Sequence, residues 1–352
     1  MTAQQIKEAA KRLGADIVGI GSIDRWEGAP IQMDPKQIMP RAKSIIAMGF
    51  RVFRGSLRGV EEGTFFSNYS AMGYGGITYM YMPMTVINLC KMIEDEGYEA
   101  VPMGHQSDWR AIDNYGFMKP EYSRPVAPGK PHPDIMVHLR IAGYLCGLGE
   151  IGWSKMLLTP EFGPRVRIGI IITEMELEPD PIMEPGTLCN RCMACANQCP
   201  TGCIPKDPSK SVKVTLAGKE VEWGDVDAPR CTRTFFGGIP VPKGDESGTY
   251  MKGQVMDYKP ADFTPFYHKP ENLYNSGQAV CGAAGCTRAC MISLEARGVL
   301  KNKFHSKVRT EKPWKMDWSE AGIAADQPGE YTPPYDANYS KPKFFSEDDK
   351  VD

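Results

Sequence analysis

The chain of 352 residues is 42% apolar and 24% charged, with a formal net charge of −2. That balance is ordinary for a globular protein with a buried core and offers no basic surplus for nucleic acid, while the length predicts two domains or one with a sizeable insertion. No run reaches the ~18 apolar residues of a membrane span, so the chain as it stands is expected to be cytoplasmic, exported only if a signal was removed ahead of it.

The opening MTAQQIKEAAKRLGAD predicts an amphipathic helix: Thr2 and Gln5 form a capping box, and Ile6, Ala9, Ala10 and Leu13 share one face. Strands follow at ADIVGIG and at SIIAMGF, residues 44–50. A helix is expected over 83–96, because Pro83 suits a first turn and Tyr79, Met82, Val86, Leu89 and Ile93 recur at helical spacing. This stripe reads as core, with Cys90 a small core residue on it. The helix ends at Gly97, YEAVPM begins a strand, and VRIGIIITEM (166–175) gives another. Residues 104–135 and 205–278 carry prolines and aromatics with few regular patterns, and are read as ordered excursions placed to cover a site. Residues 310–352 are polar and proline-bearing, and are expected to form an extended C-terminal tail.

The run CNRCMACANQCP sets Cys189, Cys192, Cys195 and Cys199 at C-x2-C-x2-C-x3-C-P spacing, the pattern of an iron–sulfur site whose fourth cysteine is directed to a neighbouring cube. Cys231 in DAPRCTRTFF and Cys281, Cys286 and Cys290 in VCGAAGCTRACM complete eight thiolates for two [4Fe–4S] clusters. Chain order with ligand exchange assigns Cys189, Cys192, Cys195 and Cys290 to the first cluster, and Cys199, Cys231, Cys281 and Cys286 to the second. Structural zinc would want separated four-ligand sets, and a disulfide framework suits a short secreted chain. Cys146 precedes a glycine turn, and Cys203 is a spare thiol in the loop after the run.

In CGLGEIGWSKMLLTPEFGPRVR, Gly147, Gly149 and Gly152 permit tight turns and close approach of the backbone to a bulky ligand. Pro160, Gly163 and Pro164 then make a rigid corner that carries Arg165 and Arg167. Alone, these residues read as turn geometry and surface salt bridges. With the cysteine run after it, the stretch resembles the corrinoid iron–sulfur reductases: the reductive dehalogenases and, more distantly, the epoxyqueuosine reductases. GADIVGIG, SIIAMGF, EDEGYEAVP, DAPRC and the final cysteine group fall in the family's order over residues 1 to 295, and LLTPEFGPRVR is nearer the dehalogenase branch.

The resemblance implies an α/β (α+β) corrinoid-binding domain of nitroreductase-like type over 1–182, fused to a ferredoxin-like domain with two [4Fe–4S] clusters over 183–309 that holds an insertion near 205–278. It implies a cobalamin or related corrinoid bound base-off, in agreement with the absence of a D-x-H-x-x-G pattern. Gly147, Gly149, Gly152, Trp153, Thr159, Pro160, Phe162 and Arg165 are the expected corrinoid contacts. Electrons would run from the distal cluster through the proximal one to cobalt. The expected substrate is a small molecule, an organohalide in the first instance, and the expected donor a ferredoxin or flavodoxin. A membrane-anchor subunit and a homodimer are compatible with the resemblance.

The expected proton donor is Tyr69 with Lys155 as its supporting cation, since a phenol near pKa ~10 needs a cation to stabilise its phenolate. Tyr74, Tyr115, Tyr122 and Asp134 are the alternatives, and His132 and His138 lie on the same excursion as the last three. Asp134 would suit an epoxyqueuosine reductase acting on tRNA, although its flanking residues do not match that pattern. A two-cluster electron carrier without corrinoid is the third reading, for which the α/β half is larger than the task requires.

Overall fold

The computed structural model describes residues 1–62, 64–65, 68–104, 125–133, 135–199, 202–228, 231, 235 and 280–309. Tyr115, Tyr122, Asp134 and the tail from 310 onward lie outside them, as does most of each excursion. In chain order the elements are α1 (Ala3–Leu13), β1 (Ile17–Ser22), β2 (Ser44–Arg51), α2 (Arg58–Glu62), a π-helix (Tyr69–Tyr81), α3 (Met82–Asp95), β3 (Ala100–Met103), α4 (Leu139–Leu145), β4 (Glu150–Ile151), β5 (Leu157–Leu158), β6 (Val166–Thr173), α5 (Ala194–Asn197), β7 (Ser211–Leu216), β8 (Lys219–Gly224), α6 (Val280–Ala284) and α7 (Cys286–Ala296). Among the described residues, no helix is long and apolar enough to cross a membrane.

The fold is mixed α/β, built on a four-stranded sheet of order β1-β2-β6-β3 in which every neighbouring pair is antiparallel. Side chains alternate across a strand, yet SIIAMGF is apolar throughout because both faces of the sheet are covered. Ile46, Met48 and Ile171 meet Ile6 and Ala9 of α1 and Val86, Leu89 and Ile93 of α3. Ile45, Ala47, Ile170 and Ile172 meet Ala142 and Leu145 of α4 and Val221 and Trp223 of β8. β2 runs beside the whole of β6, whereas β3 pairs only with its second half, Ile170 to Thr173.

α1 starts at the expected capping box: the Thr2 side chain accepts from the Gln5 N–H and the Gln5 side chain accepts from the Thr2 N–H at 2.7 Å. The helix expected from residue 83 begins earlier. Residues 69–81 coil as a π-helix that runs directly into α3. Its glycines read in sequence as helix breakers, but Gly73 is needed for closeness, because a Cβ there would lie 2.6 Å from Ser56 Oγ. Wide π turns of this kind are rare and concentrate at functional sites. The excursion over 205–278 also needs correction. Ser211–Leu216 and Lys219–Gly224 pair as a hairpin, turned by Ala217 and Gly218 at φ 47° and 78°. Alternating side chains on either side of a two-residue, positive-φ turn were the available signal.

The N-terminal and cysteine-bearing parts are joined by a buried ion pair. Arg288 of α7 donates through Nε and Nη2 to the Glu61 carboxylate of α2, the second contact at 3.1 Å, and Nη2 also reaches the Arg309 carbonyl at 2.7 Å.

Candidate active site and cluster cradle

Cys189, Cys192, Cys195 and Cys290 line one small cavity of about 20 Å³, with Trp153, Ser293 and Arg297 in its wall. The loop curls around this space through Arg191 and Met193, at φ 54° and 57°, while α7 brings Cys290 from the opposite side. Burial and the neighbouring Cys286 and Cys189 push the Cys195 thiol up to about 12, and the Cys290 thiol is driven well above its ordinary value for similar reasons. A crowd of thiols resists ionising together, and bound iron supplies the positive charge that makes ligating thiolates stable. Among the described residues, no three ligating side chains converge as they would on a single ion.

The approach to Cys189 is pinned by Glu150, a buried carboxylate at the start of β4. It accepts from the N–H groups of Thr187 at 2.9 Å, Leu188 at 2.8 Å and Cys189. Burial raises its pKa and these donors pull it back. The Trp153 N–H points at Cys189 Sγ, 3.3 Å away. Replacing Glu150 with Ala orphans three backbone donors, each worth ~1–3 kcal/mol when buried unpaired. The expected result is loss of iron from this site to a chelator well before the second site, read as biphasic bleaching where the parent protein bleaches more slowly; unchanged kinetics would count against the assignment.

The second thiol group adjoins the first. Cys199 Sγ stands 3.2 Å from Cys203 Sγ, and Cys281 and Cys286 flank Gly285 at the junction of α6 and α7. Burial, then the charges of Cys286, Cys199 and Cys203, push the Cys281 thiol well up. Cys231 is exposed, and its N–H donates to the Asp227 carbonyl at 2.9 Å.

A third space of about 190 Å³ lies against the π-helix, α4 and the first half of β6, lined by Tyr74, Thr78, Arg140, Met156, Leu157, Arg167 and Phe235 among others. Arg167 organises it: Nη2 donates to the Tyr69 hydroxyl at 2.9 Å, and its guanidinium lies 4.4 Å from the Tyr74 ring centroid. Burial raises the Tyr69 pKa, Arg167 pulls it back, and charge on Cys281 and Cys286 raises it further. The Tyr74 phenol is raised by burial and by its contact with the Tyr79 hydroxyl, 3.1 Å away. Arg167 Nε and Thr78 Oγ1 are buried with no partner among the described residues. Orphaned polar atoms beside a cavity mark positions that a bound polar group would satisfy.

Lys155, expected beside Tyr69, is engaged elsewhere. Its Nζ lies 5.3 Å from the Trp223 ring centroid, and its carbonyl accepts from Arg140 Nη1 at 3.0 Å. The corrinoid contacts expected on the glycine stretch are likewise committed to framework. A Cβ on Gly149 would come within 1.9 Å of the Leu158 carbonyl oxygen, so that glycine lets β4 and β5 close. Gly147, at φ 80°, makes the preceding turn, and Gly152 lies against the Leu158 side chain. Thr159 Oγ1 accepts from the Phe162 N–H at 3.1 Å, and the Pro160 carbonyl accepts from Lys301 at 2.8 Å. Trp153 Nε1 donates to the Pro205 carbonyl at 2.9 Å. Arg165 is bound to the Val52 carbonyl at 2.7 Å and Asn302 Oδ1 at 2.9 Å. None of these eight lines the cavity beside Arg167.

His138 caps α4 through Nδ1, which accepts from the Ile141 N–H at 3.3 Å. Burial, then Arg140 and Lys155, lower its pKa from 6.5 to about 4. The unfolded chain therefore takes up a proton first. The stabilisation is complete above about pH 6.5 and is lost as pH falls toward about 4. Urea unfolding is expected to show about 2 kcal/mol less stability at about pH 5 than at about pH 7.5 from this residue, a difference that His138→Asn removes.

No family model matches the chain. A tetrachloroethene reductive dehalogenase of Desulfitobacterium hafniense is 29% identical over 258 residues, covering 64% of this chain and 43% of its own length. The chain is similar to reductive dehalogenases. Another, from Sulfurospirillum multivorans, is 24% identical across 58% of the chain and 40% of its own length, so this chain spans about two-fifths of the dehalogenases it matches. An epoxyqueuosine reductase of Listeria monocytogenes is 35% identical over 71 residues, 20% of the chain and 18% of its own length. Among solved structures, a catabolic reductive dehalogenase aligns at 19% identity with a TM-score of 0.47, over 84% of this chain and 36% of that one.

The residues of the site that sequence reasoning undervalued are Glu150, Arg140 and Arg167. Arg167 was legible in principle: a lone cation inside the apolar strand VRIGIIIT needs a buried partner. That the partner is Tyr69, 98 positions away, is a tertiary fact.

Proposed function

We propose that this chain is a corrinoid- and iron–sulfur-dependent reductase of the dehalogenase type, reductively cleaving a carbon–halogen bond or a related bond in a small molecule. The observation that carries the reading is the 2.9 Å hydrogen bond from Arg167, which lines the cavity, to the Tyr69 hydroxyl behind that wall, with thiol groups whose charges reach Tyr69. Its nitroreductase-like and ferredoxin-like halves belong to the same proposal.

Cys189, Cys192, Cys195 and Cys290 would hold one cube of a pair, and Cys199, Cys231, Cys281 and Cys286 the other. The cavity is smaller than a corrinoid, so a bound one would extend beyond it; Met156 and Leu157 would meet its apolar face, and Arg140, Arg167 Nε and Thr78 Oγ1 its polar periphery. When bound it would supply a low-potential cobalt centre for reductive bond cleavage. Tyr69 keeps its proton on Oη, since burial raises its pKa. Arg167 fixes the phenol's direction and stabilises the phenolate left once the proton is given up. The aromatic wall of Tyr74 and Phe235 excludes water. Electrons would come from a ferredoxin- or flavodoxin-like donor.

Anaerobic reconstitution with iron, sulfide and cobalamin tests the reading. About eight irons and one cobalt per chain with a base-off spectrum, followed by halide release from an organohalide, is the expected outcome. Full iron loading without cobalt would remove the corrinoid mechanism and leave an electron carrier.

A further inference from the structure

The cavity beside the π-helix gathers positive charge and, among its described lining residues, no carboxylate. We propose that Arg140 and Arg167 form a seat for one oxyanion, a carboxylate, phenolate or phosphate carried by the molecule that occupies this cavity. This rests on the reductase reading above and adds the chemistry of what its site holds.

Arg140 is the second residue of α4 and Arg167 the second of β6, so two separate elements bring their guanidiniums to one space of about 190 Å³. The two cations feel each other: burial lowers the Arg140 pKa, Cys231 raises it, and Arg167 lowers it again. Lys155 stands in the same corner, shifted down by burial and then by Arg140, with Asp225 as the carboxylate that answers it. The bonds that the two arginines make do not cancel their charge. Arg140 Nη1 donates to the Lys155 carbonyl at 3.0 Å, and Arg167 Nη2 to the neutral Tyr69 hydroxyl at 2.9 Å. Arg167 Nε and the hydroxyl of Thr78, a residue 3% exposed that lines the same cavity, have no partner among the described residues.

A cation withdrawn from water is costly unless it is paired, and the planar fork of a guanidinium matches the oxygens of a carboxylate or phosphate. One oxyanion between the two arginines would accept from Arg140, from Arg167 Nε and from Thr78 Oγ1, and would relieve the repulsion between the cations. Cys231 and Cys286 act on Arg140 from outside the described lining and give Arg167 Nε and Thr78 Oγ1 no hydrogen-bond partner. A neutral occupant such as a chlorinated alkene would leave those donors and the excess charge unanswered. The seat therefore selects small acids, or takes the phosphate of a corrinoid that reaches into the cavity.

Benzoate and benzamide share a ring and differ in charge at neutral pH, and calorimetry on the full chain reconstituted with iron, sulfide and cobalamin compares them. Benzoate is expected to bind about 10- to 100-fold tighter, the range of one charge-assisted pairing. Arg140→Met and Arg167→Met should each abolish that preference, and Arg140→Lys, which keeps the charge, should retain part of it. Cobinamide, which lacks the phosphate of cobalamin, separates the two sources. A tenfold or greater preference for cobalamin over cobinamide that Arg140→Met removes would place the corrinoid's phosphate in the seat and support the proposal by that route. Equal binding of benzoate and benzamide, together with equal retention of the two corrinoids, overturns it. An anion preference that both methionine variants keep overturns it as well. A chain that takes up iron but no cobalt fails the reductase reading, while the benzoate and benzamide comparison on that iron-loaded protein still decides the seat.

Discussion

Tyr69→Phe is expected to lower turnover by ~10²–10⁴-fold, the usual contribution of a positioned proton donor, with iron and cobalt content unchanged. The substitution removes one oxygen from a buried ring, and the fold loses only the hydrogen bond that Arg167 Nη2 makes to it. Its companion, Tyr74→Phe, separates donor from wall. Tyr74 stacks on the same guanidinium but directs its hydroxyl to Tyr79, so its loss should cost ~0.5–1.5 kcal/mol of stability and leave most of the rate. Arg167→Met should follow Tyr69→Phe in rate and raise the pH at which any phenolate appears, because the charge that pulls the Tyr69 pKa back is gone. Measured kcat and kcat/KM across pH, with metal content determined on the same samples, check all three. A Tyr69→Phe enzyme that turns over normally would pass the donor role to Tyr74 or to a residue outside the described set.

Arg288→Met is expected to destabilise the protein by about 3–5 kcal/mol, the cost of stranding one charge of a buried pair. Glu61 and Arg288 are 6% and 4% exposed, so water cannot rescue the carboxylate left behind. The effect extends past stability because α7 also carries Cys286 and Cys290, and its attachment to α2 runs through this contact. Faster iron release should therefore accompany the lower unfolding midpoint. The double variant Glu61→Leu, Arg288→Met replaces the pair with apolar volume and should recover most of the loss. Calorimetry of the three variants in the iron-loaded state is the check, and a single variant as stable as its parent would show that the pair is solvated.

Much of the frame was legible because apolar periodicity reports burial directly. α1 with its capping box, β1, β2, α3 and β6 all stand where their patterns put them. The thiols Cys189, Cys192 and Cys195 are equally local, since their spacing is a property of one loop. The missing information is of two physical kinds. The π-helix depends on Gly73 packing against Ser56, a contact invisible to a local pattern. The cation beside Tyr69 depends on strand pairing: Arg167 and Lys155 are 12 residues apart, yet only one reaches the phenol. Glu150 illustrates both, because GLGE reads as a glycine turn until the backbone donors of 187–189 arrive beneath it.

The shortness of β3 has a bearing on selectivity. Among the described residues β3 stops opposite Ile170, and Val166, Arg167 and Ile168 border the cavity without a described strand partner on that side. A bare strand flank presents main-chain donors and acceptors in a fixed row. An occupant of the cavity thus meets a ruler of amides that no side-chain exchange can erase. Discrimination between molecules of different length would then answer to insertions or deletions around Met103 more than to point substitutions in the wall. In this architecture, strand length is itself a determinant of what fits.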